Sequence, residues 1–428
     1  MLVHVVHLAE SLGCSQILVV VSLGTEPAVQ EVLTAYRTGG GSLRQVVTTQ
    51  YAEFCQDPSA VLSGLEALSS PETTALVLHA NQPLMSKAGL KVLGSWAERG
   101  RDVACLTDDL QAPWPLCQHG MPVVCGPVHQ LGKWAEWRKS AAAKEAAVTE
   151  AYPLEDDERG QLLEDTSNAP GWKTAFGGGV HEVDATSLLL VRSRADLAEA
   201  EKLLRQRLVA HHQRQGVTFR DPDNTWLGPD VSFGTDVEIG IGVQLMGTTH
   251  LGDNVVVEGP TVIKDSVVGA NSRVAAFSHL DSATVGDDAG VGPFGRLRQN
   301  ARTEANTYVG NFVELKNATL REGAQACHLA YLGDADVGAK TNIGAGTITC
   351  NFNGRSKNRT TVGQGAFIGS NSTLVAPVTV RDGAFVAAGS VITQEVPEGA
   401  VAFGRARQTN KEGYVEQLMD KLALQPTT

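Results

Sequence analysis

Long apolar segments are missing from this sequence. Nowhere do ~18 apolar residues, the length that a transmembrane helix needs, occur together. The opening stretch, Met1-Leu-Val-His-Val-Val-His-Leu-Ala-Glu10, has no cationic segment followed by a long apolar run, which a signal peptide requires. We therefore expect a cytoplasmic protein with no membrane partner.

Basic clusters and paired cysteines are missing too. The formal net charge of −12 and the absence of a long basic run argue against nucleic acid as the main partner. An anionic substrate must then be met by a local cluster of cations. The seven cysteines are odd in number and form no C-x-x-C pair, which is typical of reduced thiols in a cytosol and predicts no metal ligation through cysteine.

A six-residue repeat runs from Leu227 to about Gly399. One series in multiples of six is Val231, Val237, Val243, Val255 and Val267, and a second in steps of six is Ile239, Leu245, Leu251, Val257 and Ile263. Further hexads pair an aliphatic residue with glycine, as in Val309-Gly310 and Ile343-Gly344. This period predicts a parallel β-helix, in which each hexad forms one face and a small residue turns the corner. A β-sandwich is the alternative, but its strands alternate with period two.

The composition changes near residue 220, which predicts two domains. Upstream, residues 1–192 alternate apolar strands with amphipathic helices and predict an α/β domain with a mostly parallel sheet. Its predicted strands are Ile17–Ser22, Ala75–His79, Val103–Leu106 and Pro122–Cys125. The glycine run from Gly177 to Gly179 predicts a linker. Residues 193–220 then form a linker with a helix from Ser193 to His212, and residues 221–428 form the β-helix domain with a C-terminal tail.

Polar side chains concentrate in one part of the repeat. They are Arg298, Glu314, Lys316, His328, Tyr331, Asn342, Asn351 and Lys357. Arg298, Lys316 and Lys357 together would clamp a phosphate, because Arg offers a fork of donors and Lys a point charge. Three solvated surface cations are the alternative, and the neighbouring polar residues favour a site.

His328 is the candidate general base. An imidazole beside a phosphate clamp is suited to taking a proton from a nucleophile near neutral pH. We expect Glu314 to orient the ring by accepting a hydrogen bond from its other nitrogen. A lone histidine is more often a satisfied structural residue, and that reading is the alternative.

A polar excursion, Thr349 to Thr360, interrupts the repeat once and carries Asn351 and Lys357. A loop held off a rigid solenoid is placed to reach a neighbouring subunit. In the later coils Ala345, Ser370 and Ala388 offer small side chains along a groove. Such a groove suits an extended cofactor such as coenzyme A, although any β-helix also needs small residues at its corners.

Several motifs in this region resemble one known family. They are Arg298, Val309-Gly-Asn-Phe-Val-Glu-Leu-Lys316, His328-Leu-Ala-Tyr-Leu-Gly-Asp-Ala335 and above all Asn342-Ile-Gly-Ala-Gly-Thr-Ile-Thr-Cys-Asn351. They resemble the acetyltransferase domain of the bacterial bifunctional N-acetylglucosamine-1-phosphate uridyltransferase / glucosamine-1-phosphate acetyltransferase family. The similarity runs from about Asp221 to Tyr414 and implies a left-handed parallel β-helix that works as a homotrimer with shared active sites.

The resemblance also implies a role for each matching residue. It makes His328 the general base. It assigns the sugar phosphate to Arg298, Lys316, Tyr331 and Lys357, the sugar to Asn342, and the acetyl-CoA site to Ala345, Asn351, Phe352, Ser370, Ala388 and Arg405. Phe352 stands where the family often has tyrosine, so the ring is kept and the hydroxyl is lost. No metal takes part in this site.

The N-terminal half resembles the family's uridyltransferase domain only as a remnant, with a Rossmann-like nucleotidyltransferase fold. Its opening strand and glycine-rich nucleotide loop are missing before Met1-Leu-Val-His4. Asn81 stands where the family has a metal-binding aspartate, and Ser187 replaces a second metal-binding residue. Without that carboxylate and the loop amides, phosphoryl-transfer charge is not neutralised, so we expect neither Mg²⁺ binding nor uridyl transfer.

The resemblance therefore implies acetyl transfer from acetyl-CoA to the amine of glucosamine-1-phosphate, feeding the synthesis of UDP-N-acetylglucosamine. Two alternatives are open: a bifunctional enzyme that keeps uridyl transfer, and a non-catalytic trimeric scaffold or regulatory subunit that binds a sugar nucleotide. A decayed scaffold is expected to have lost His328, Lys357 or Arg405, and all three are present.

Overall fold

The computed structural model describes six strands of the N-terminal half, residues 31, 34 and 191, and residues 193–423. The chain divides into two compact units, Met1–Leu204 and Arg205–Thr428. That division falls inside the predicted linker, and the predicted domain boundaries themselves stay a prediction.

In the first unit the six described strands are short. They are β1 (Ile17–Ser22), β2 (Val46–Tyr51), β3 (Thr74–Val77), β4 (Ala104–Thr107), β5 (Val124–Pro127) and β6 (Gly179–Glu182). β1 pairs in parallel with β2, and the other four form a sheet in the order β3-β5-β4-β6. β5 is antiparallel to β3 and β4, while β6 is parallel to β4.

These pairings refine the sequence prediction. β3, β4 and β6 share one direction, as a mostly parallel sheet requires, and β5 alone is reversed, because an apolar run does not encode strand direction. The sequence analysis also missed β2 and β6. Gly179, predicted to end a linker, begins β6, because pairing with β4 makes a strand of a segment whose own pattern is weak.

Helix α1 (Arg194–Arg214) agrees with the predicted helix. Ser193 caps its start: the hydroxyl accepts from the amide of Asp196 at 3.2 Å, and the Asp196 carboxylate accepts from the amide of Ser193 at 2.8 Å. The helix ends before Gly216, which has a φ of +98°. Near this end Val209 is buried in the core of the β-helix.

The second unit is a parallel β-helix of about ten coils, as predicted. Each coil contributes one strand to each of three sheets, which we call the first, second and third faces in chain order. The first face contains β7 (Thr218–Phe219), β10 (Glu238–Ile239), β13 (Val256–Val257), β16 (Arg273–Val274), β19 (Gly290–Val291), β22 (Tyr308–Asn311), β25 (Gln325–His328), β28 (Asn342–Ile343), β31 (Phe367–Ile368), β34 (Phe385–Val386) and β36 (Val401–Ala402).

The other two faces follow the same pattern, and strands of neighbouring coils pair in parallel. The second face contains β8 (Trp226–Leu227), β11 (Gln244–Met246), β14 (Val262–Lys264), β17 (His279–Asp281), β20 (Arg296–Arg298), β23 (Glu314–Lys316), β26 (Tyr331–Gly333), β29 (Ile348–Cys350), β32 (Thr373–Val375) and β35 (Val391–Ile392). The third face contains β9 (Ser232–Phe233), β12 (His250–Leu251), β15 (Val267–Val268), β18 (Thr284–Val285), β21 (Arg302–Thr303), β24 (Thr319–Leu320), β27 (Ala335–Val337), β30 (Thr360–Val362) and β33 (Val378–Val380).

The core is the column of aliphatic side chains inside the coils. Both predicted hexad series point inward, with one exception: Val267 is 42% exposed and Val268 is buried in its place. The reason is a shortened coil, because Leu251 pairs with Val268, which lies 17 residues further on instead of 18. A slip of one residue moves a strand's side chains to the opposite side.

The corner between the first and second faces, which we call the first corner, changes character along the β-helix. In the earlier coils Phe277, Phe294 and Phe312 occupy it with positive φ, are exposed, and stack with ring centroids 4.9 and 5.0 Å apart. Leu329 continues the column, also exposed and at a φ of +49°. In the later coils Gly346, Asn371 and Gly389 replace the bulky apolar residues at the positive-φ position. Bulky side chains at positive φ are strained, so this apolar column is an unusual feature.

Helix α2 (Tyr414–Ala423) ends the described chain. Val415, Leu418, Met419 and Leu422 form an apolar stripe on it, and all four are exposed. Among residues 193–423 and the six N-terminal strands, no helix is long and apolar enough to cross a membrane.

Candidate active site

The second face positions the predicted phosphate clamp. Strand register places Arg298 beside Lys316 and Lys316 beside Gly333 in three successive coils. Their neighbours in each strand, Leu297, Leu315 and Leu332, are buried inside the coils, and strand alternation turns the clamp column outward. Lys316 is nonetheless only 7% exposed.

Glu314 pairs with Arg298, and among residues 193–423 no hydrogen bond or ion pair joins it to His328. Nε of Arg298 donates to Oε1 of Glu314 at 2.6 Å, and both side chains are about a quarter exposed. This corrects the prediction that Glu314 orients His328. The cause is register, since Glu314 lies opposite Arg296 and Tyr331 on the second face, while His328 ends a strand of the first face.

Asp334 follows Gly333 and forms the centre of the clamp. Its carboxylate accepts hydrogen bonds from the side-chain amides of Asn317, at 2.6 Å, and Asn351, and its Oδ2 lies 3.9 Å from Nζ of Lys316. Partial burial opposes ionisation of Asp334. The two amides and the charges of Lys316 and Lys357 outweigh that effect and hold the pKa of Asp334 below its usual range.

The excursion closes on itself as a short antiparallel hairpin. Phe352 bridges Lys357, and the amide of Asn358 donates to the carbonyl of Asn351 at 2.6 Å. The side chain of Asn353 accepts from the amides of Arg355 and Ser356 and so fixes the turn. Lys357 is thereby brought to Lys316, whose hydrogen-bonding and like charge lower the pKa of Lys357.

Gly333 makes room for two predicted site residues. A Cβ added at Gly333 would lie 2.5 Å from the hydroxyl of Tyr331 and 2.7 Å from Nδ2 of Asn351. The phenol and the amide therefore lie above the bare backbone of Gly333, next to the clamp. Together with Arg298, Lys316 and Lys357 they form one polar surface with donors that suit a phosphate and a sugar.

His328 lies at the end of the first face, where the first corner begins. Its Nδ1 is 2.7 Å from Oδ1 of Asn311, one coil earlier in the same register. An amide oxygen only accepts, so Nδ1 carries the proton and Nε2 presents a lone pair. The imidazole is exposed, and within residues 193–423 no hydrogen bond or ion pair connects it to the clamp.

The small residues of the predicted cofactor groove form a column just past His328. Ala345, Ser370 and Ala388 stack in successive coils, since the amide of Asn371 donates to Ala345 and that of Gly389 donates to Ser370. Cδ of Arg405 lies 3.7 Å from where a Cβ of Gly389 would be. Asn342 is on the first face between Gln325 and Phe367. Asn351 and Phe352, by contrast, belong to the base of the excursion and contact the clamp side.

Sequence reasoning missed three residues of this site. Asn311, Gly333 and Asp334 lie inside the quoted motifs but were assigned no role. Asn311-Phe312 and His328-Leu329 fall 17 residues apart, so coil periodicity is the signal that pairs them. Asp334 lies at a corner of the coil. Aspartate is common in turns because it tolerates positive φ, so its presence there did not indicate a functional role.

Among the residues that the structure describes, no group of three or more His, Cys, Asp or Glu side chains is arranged to hold a metal ion. Asn81 and Ser187, the positions on which the expectation about Mg²⁺ rests, lie outside the described residues.

Comparison with known proteins agrees with this geometry. The family model described as the hexapeptide repeat of succinyl-transferase matches residues 359–394. The bifunctional protein GlmU of Staphylococcus haemolyticus is 35% identical to the chain, over 97% of the chain and 93% of that protein's length. The chain belongs to the GlmU family. The resemblance seen in the motifs is thereby confirmed.

Other GlmU relatives match about half of the chain at higher identity. The GlmU of Nitratidesulfovibrio vulgaris is 49% identical over 232 residues, and over that match the chain spans about half (51%) of the relative's length. A UDP-N-acetylglucosamine acyltransferase of Francisella novicida is similar to 43% of the chain and 66% of its own, with 14% identity and a TM-score of 0.28.

Proposed function

We propose that this protein transfers an acetyl group from acetyl-CoA to the amine of glucosamine-1-phosphate. The product, N-acetylglucosamine-1-phosphate, would feed the synthesis of UDP-N-acetylglucosamine. The observation that carries this proposal is the convergence of Arg298, Lys316 and Lys357 on one face of a GlmU-family β-helix, next to a groove of small residues.

The clamp selects the acceptor. Arg298 and the two lysines bind the phosphate, while Tyr331 and Asn342 contact the sugar phosphate and the sugar. A nearby cation cluster also favours the neutral amine over the ammonium, which has no lone pair for attack. The same residues therefore bind the substrate and prepare it.

His328 acts as the general base. With Nδ1–H bound to Asn311, its Nε2 takes a proton from the attacking amine nitrogen and delivers it to the departing thiolate. Bound acetyl-CoA supplies the acetyl group as a thioester. One N–C bond forms, one C–S bond breaks, and the proton passes from nitrogen to sulfur, so the step is balanced.

The column of Ala345, Ser370 and Ala388 would hold the extended arm of acetyl-CoA, with Arg405 at its far end and Phe352 and Asn351 on the excursion. Small side chains in three successive coils leave room for an extended ligand along this corner. Arginine suits a phosphate-rich ligand. These features support acetyl-CoA as the co-substrate.

We propose a homotrimer in which neighbouring copies share active sites. Two observations support it. The column of Phe277, Phe294, Phe312 and Leu329 exposes apolar surface in strained backbone beside His328, which is typical of a contact surface. In one copy no hydrogen bond or ion pair of residues 193–423 links His328 to the clamp, so a neighbour's excursion is a suitable complement.

For the N-terminal half we propose the loss of uridyl transfer, because Asn81 stands where the family has a metal-binding carboxylate. Retention of both activities is the second candidate. It is favoured by the 35% identity to a bifunctional protein over 97% of this chain.

Assays of the purified protein with each substrate pair test both proposals. With acetyl-CoA and glucosamine-1-phosphate we expect release of the coenzyme A thiol and an acetylated sugar phosphate seen by mass spectrometry. With UTP, Mg²⁺ and N-acetylglucosamine-1-phosphate we expect no pyrophosphate. Pyrophosphate release that is abolished by Asn81→Ala would establish the bifunctional alternative, and no activity in either assay would favour a scaffold.

A further inference from the structure

Asp334 differs from Asp265, the other aspartate of the β-helix that adopts positive φ at the same corner. Asp265 occupies the same corner, between the second and third faces, with a φ of +46° against +49° for Asp334, and each lies 3.9 Å from a lysine ammonium. The Asp265 carboxylate accepts from the backbone amide of Thr248, so it closes the corner. Within residues 193–423, the Asp334 carboxylate accepts hydrogen bonds only from the side chains of Asn317 and Asn351.

The surroundings of Asp334 are rich in cations. Lys316 is almost fully buried, and Lys357 adjoins it from the excursion. On the neighbouring strands of the second face, β20, β23, β26 and β29, the other charged or titratable groups are Arg296, Tyr331, Cys350 and the Arg298–Glu314 pair, whose charges offset each other. Asp334 is then the anion that compensates two adjacent ammonium groups. A buried charge without such a partner is costly.

We propose that Asp334 is a positioning residue of the acceptor site, holding the Lys316–Lys357 pair in place for the phosphate of the acceptor and binding the side-chain amide of Asn351. Through its hydrogen bond with Asn351, Asp334 fixes the first strand of the excursion. The second strand of the excursion carries Lys357. Through its charge Asp334 favours the protonated form of Lys357 and holds Lys316 in place before the acceptor binds. The identity of the acceptor rests on the proposed function. The effect of Asp334 on the two lysines does not depend on that function.

The test compares the full-length protein with three variants. Asp334→Asn keeps the size of the side chain and tolerates the positive φ. Asp334→Gly also tolerates that φ and removes the carboxylate entirely. It replaces Asp334→Asn in the test if that variant fails to fold. Asp265→Asn is the matched control at the same corner, away from the clamp.

The first measurement is the titration of the Lys357 ammonium by NMR with isotope-labelled lysine, using Lys357→Met to assign the signal. Removing the negative charge of Asp334 disfavours the protonated lysine, so the pKa of Lys357 should fall in both Asp334 variants and stay unchanged in Asp265→Asn. An unchanged or raised pKa in the Asp334 variants overturns the proposal, whether or not the protein transfers acetyl groups.

The second measurement is kinetic. With glucosamine-1-phosphate the Asp334→Asn variant should lose about tenfold to a hundredfold in kcat/KM, because misplaced binding groups cost up to that order. Its alkaline loss of activity should begin at lower pH, as the lysine loses its proton earlier. With glucosamine, which has no phosphate, the variant should lose clearly less in kcat/KM than it loses with glucosamine-1-phosphate. Equal losses with both acceptors would indicate a general structural defect and contradict the proposal.

Discussion

Nδ1 of His328 donates to Oδ1 of Asn311 across one coil of the β-helix, at 2.7 Å. This bond fixes which ring nitrogen is free to accept a proton, so Asn311 supports the general base without taking part in proton transfer. Asn311→Leu should reduce kcat about tenfold, less than the loss of the base itself, while Asn311→Asp, which keeps an acceptor oxygen, should retain more activity.

A matched control for that prediction exists on the third face. Oγ of Ser232 lies 2.9 Å from Nδ1 of His250, also one coil away, and far from the clamp in sequence. Ser232→Ala should leave kcat unchanged. The test is the steady-state rate of thiol release by the parent, Asn311→Leu, Asn311→Asp and Ser232→Ala proteins. An Asn311→Leu enzyme with the parent's kcat would show that the His328–Asn311 hydrogen bond has no role in catalysis.

The lack of a side chain at Gly333 should matter for acceptor binding. In Gly333→Ala the new methyl would lie 2.5 Å from the Tyr331 hydroxyl and 2.7 Å from the Asn351 amide, so both side chains must move. We expect a rise in KM for glucosamine-1-phosphate of about tenfold or more with little change in melting temperature, since the displaced atoms are the ends of side chains. Initial rates at varied acceptor concentration measure it.

Gly228→Ala is the control for the Gly333 substitution. Gly228 follows β8 on the same face, and a Cβ there would have no neighbour closer than 3.5 Å. Its KM should equal that of the parent. Equal KM values for glucosamine-1-phosphate in Gly333→Ala and Gly228→Ala would contradict the placement of Tyr331 and Asn351 above Gly333.

Arg359 anchors the end of the excursion to the third face. It donates to Asp336 at 3.1 Å, and Asp336 also accepts from Arg321 at 2.9 Å. Because Arg359 is largely exposed, its bond is weak, and Arg359→Gln should raise KM for the acceptor only about two- to fivefold. Cleavage of the excursion by trypsin, after Arg355 or Lys357, should become faster.

Arg381→Gln, which breaks a comparably exposed pair with Glu395, is the control for the Arg359 substitution. It should alter neither KM nor the rate of cleavage. If both arginine variants behave alike, the excursion is held by Asn351 and its own hairpin, without help from Arg359.

The end of α1 should make stability depend on pH. His212 packs edge-on against Phe233, with centroids 4.7 Å apart, and burial, followed by the charge of His211, lowers the pKa of His212. A histidine with a lowered pKa in the folded state binds fewer protons there than in the unfolded state, so stability rises with pH. The contribution of neutral His212 to the stability of the fold is fully present above about pH 6.5. It is lost as the pH falls through the lower pKa that His212 has in the folded state.

Melting temperatures between pH 5 and 8 test this dependence. The parent should lose stability on acidification over that window, and His212→Gln should lose less of it. Identical pH profiles for the two proteins would show that the histidine titrates as it does in the unfolded chain.

Much of the β-helix was predictable, because its core repeats in the chain. Val237, Ile239 and Val243 are buried as their spacing requires. The pattern failed at Val267, where the coil has one residue fewer and a corner residue, Asp265, adopts positive φ. Local spacing does not reveal which corners are shortened.

The site was predictable as a set of residues but not as a set of contacts. The motifs identified Arg298, Lys316 and His328, yet the sequence analysis paired His328 with Glu314. Strand register pairs Glu314's neighbour Arg298 with Lys316 and pairs His328 with Asn311. Contacts between residues 17 or 18 apart depend on coil length, which becomes definite only in the folded chain.

The most direct test of the account is acetyl transfer by the parent protein and by His328→Ala, measured as thiol release from acetyl-CoA with glucosamine-1-phosphate. The parent should turn over, and the variant, with its melting temperature and oligomeric state unchanged, should be slower by about 10²-fold or more, as expected for removal of a general base. A folded His328→Ala protein with near-full turnover would contradict the assignment of His328, and a parent protein without turnover would contradict the proposed activity itself.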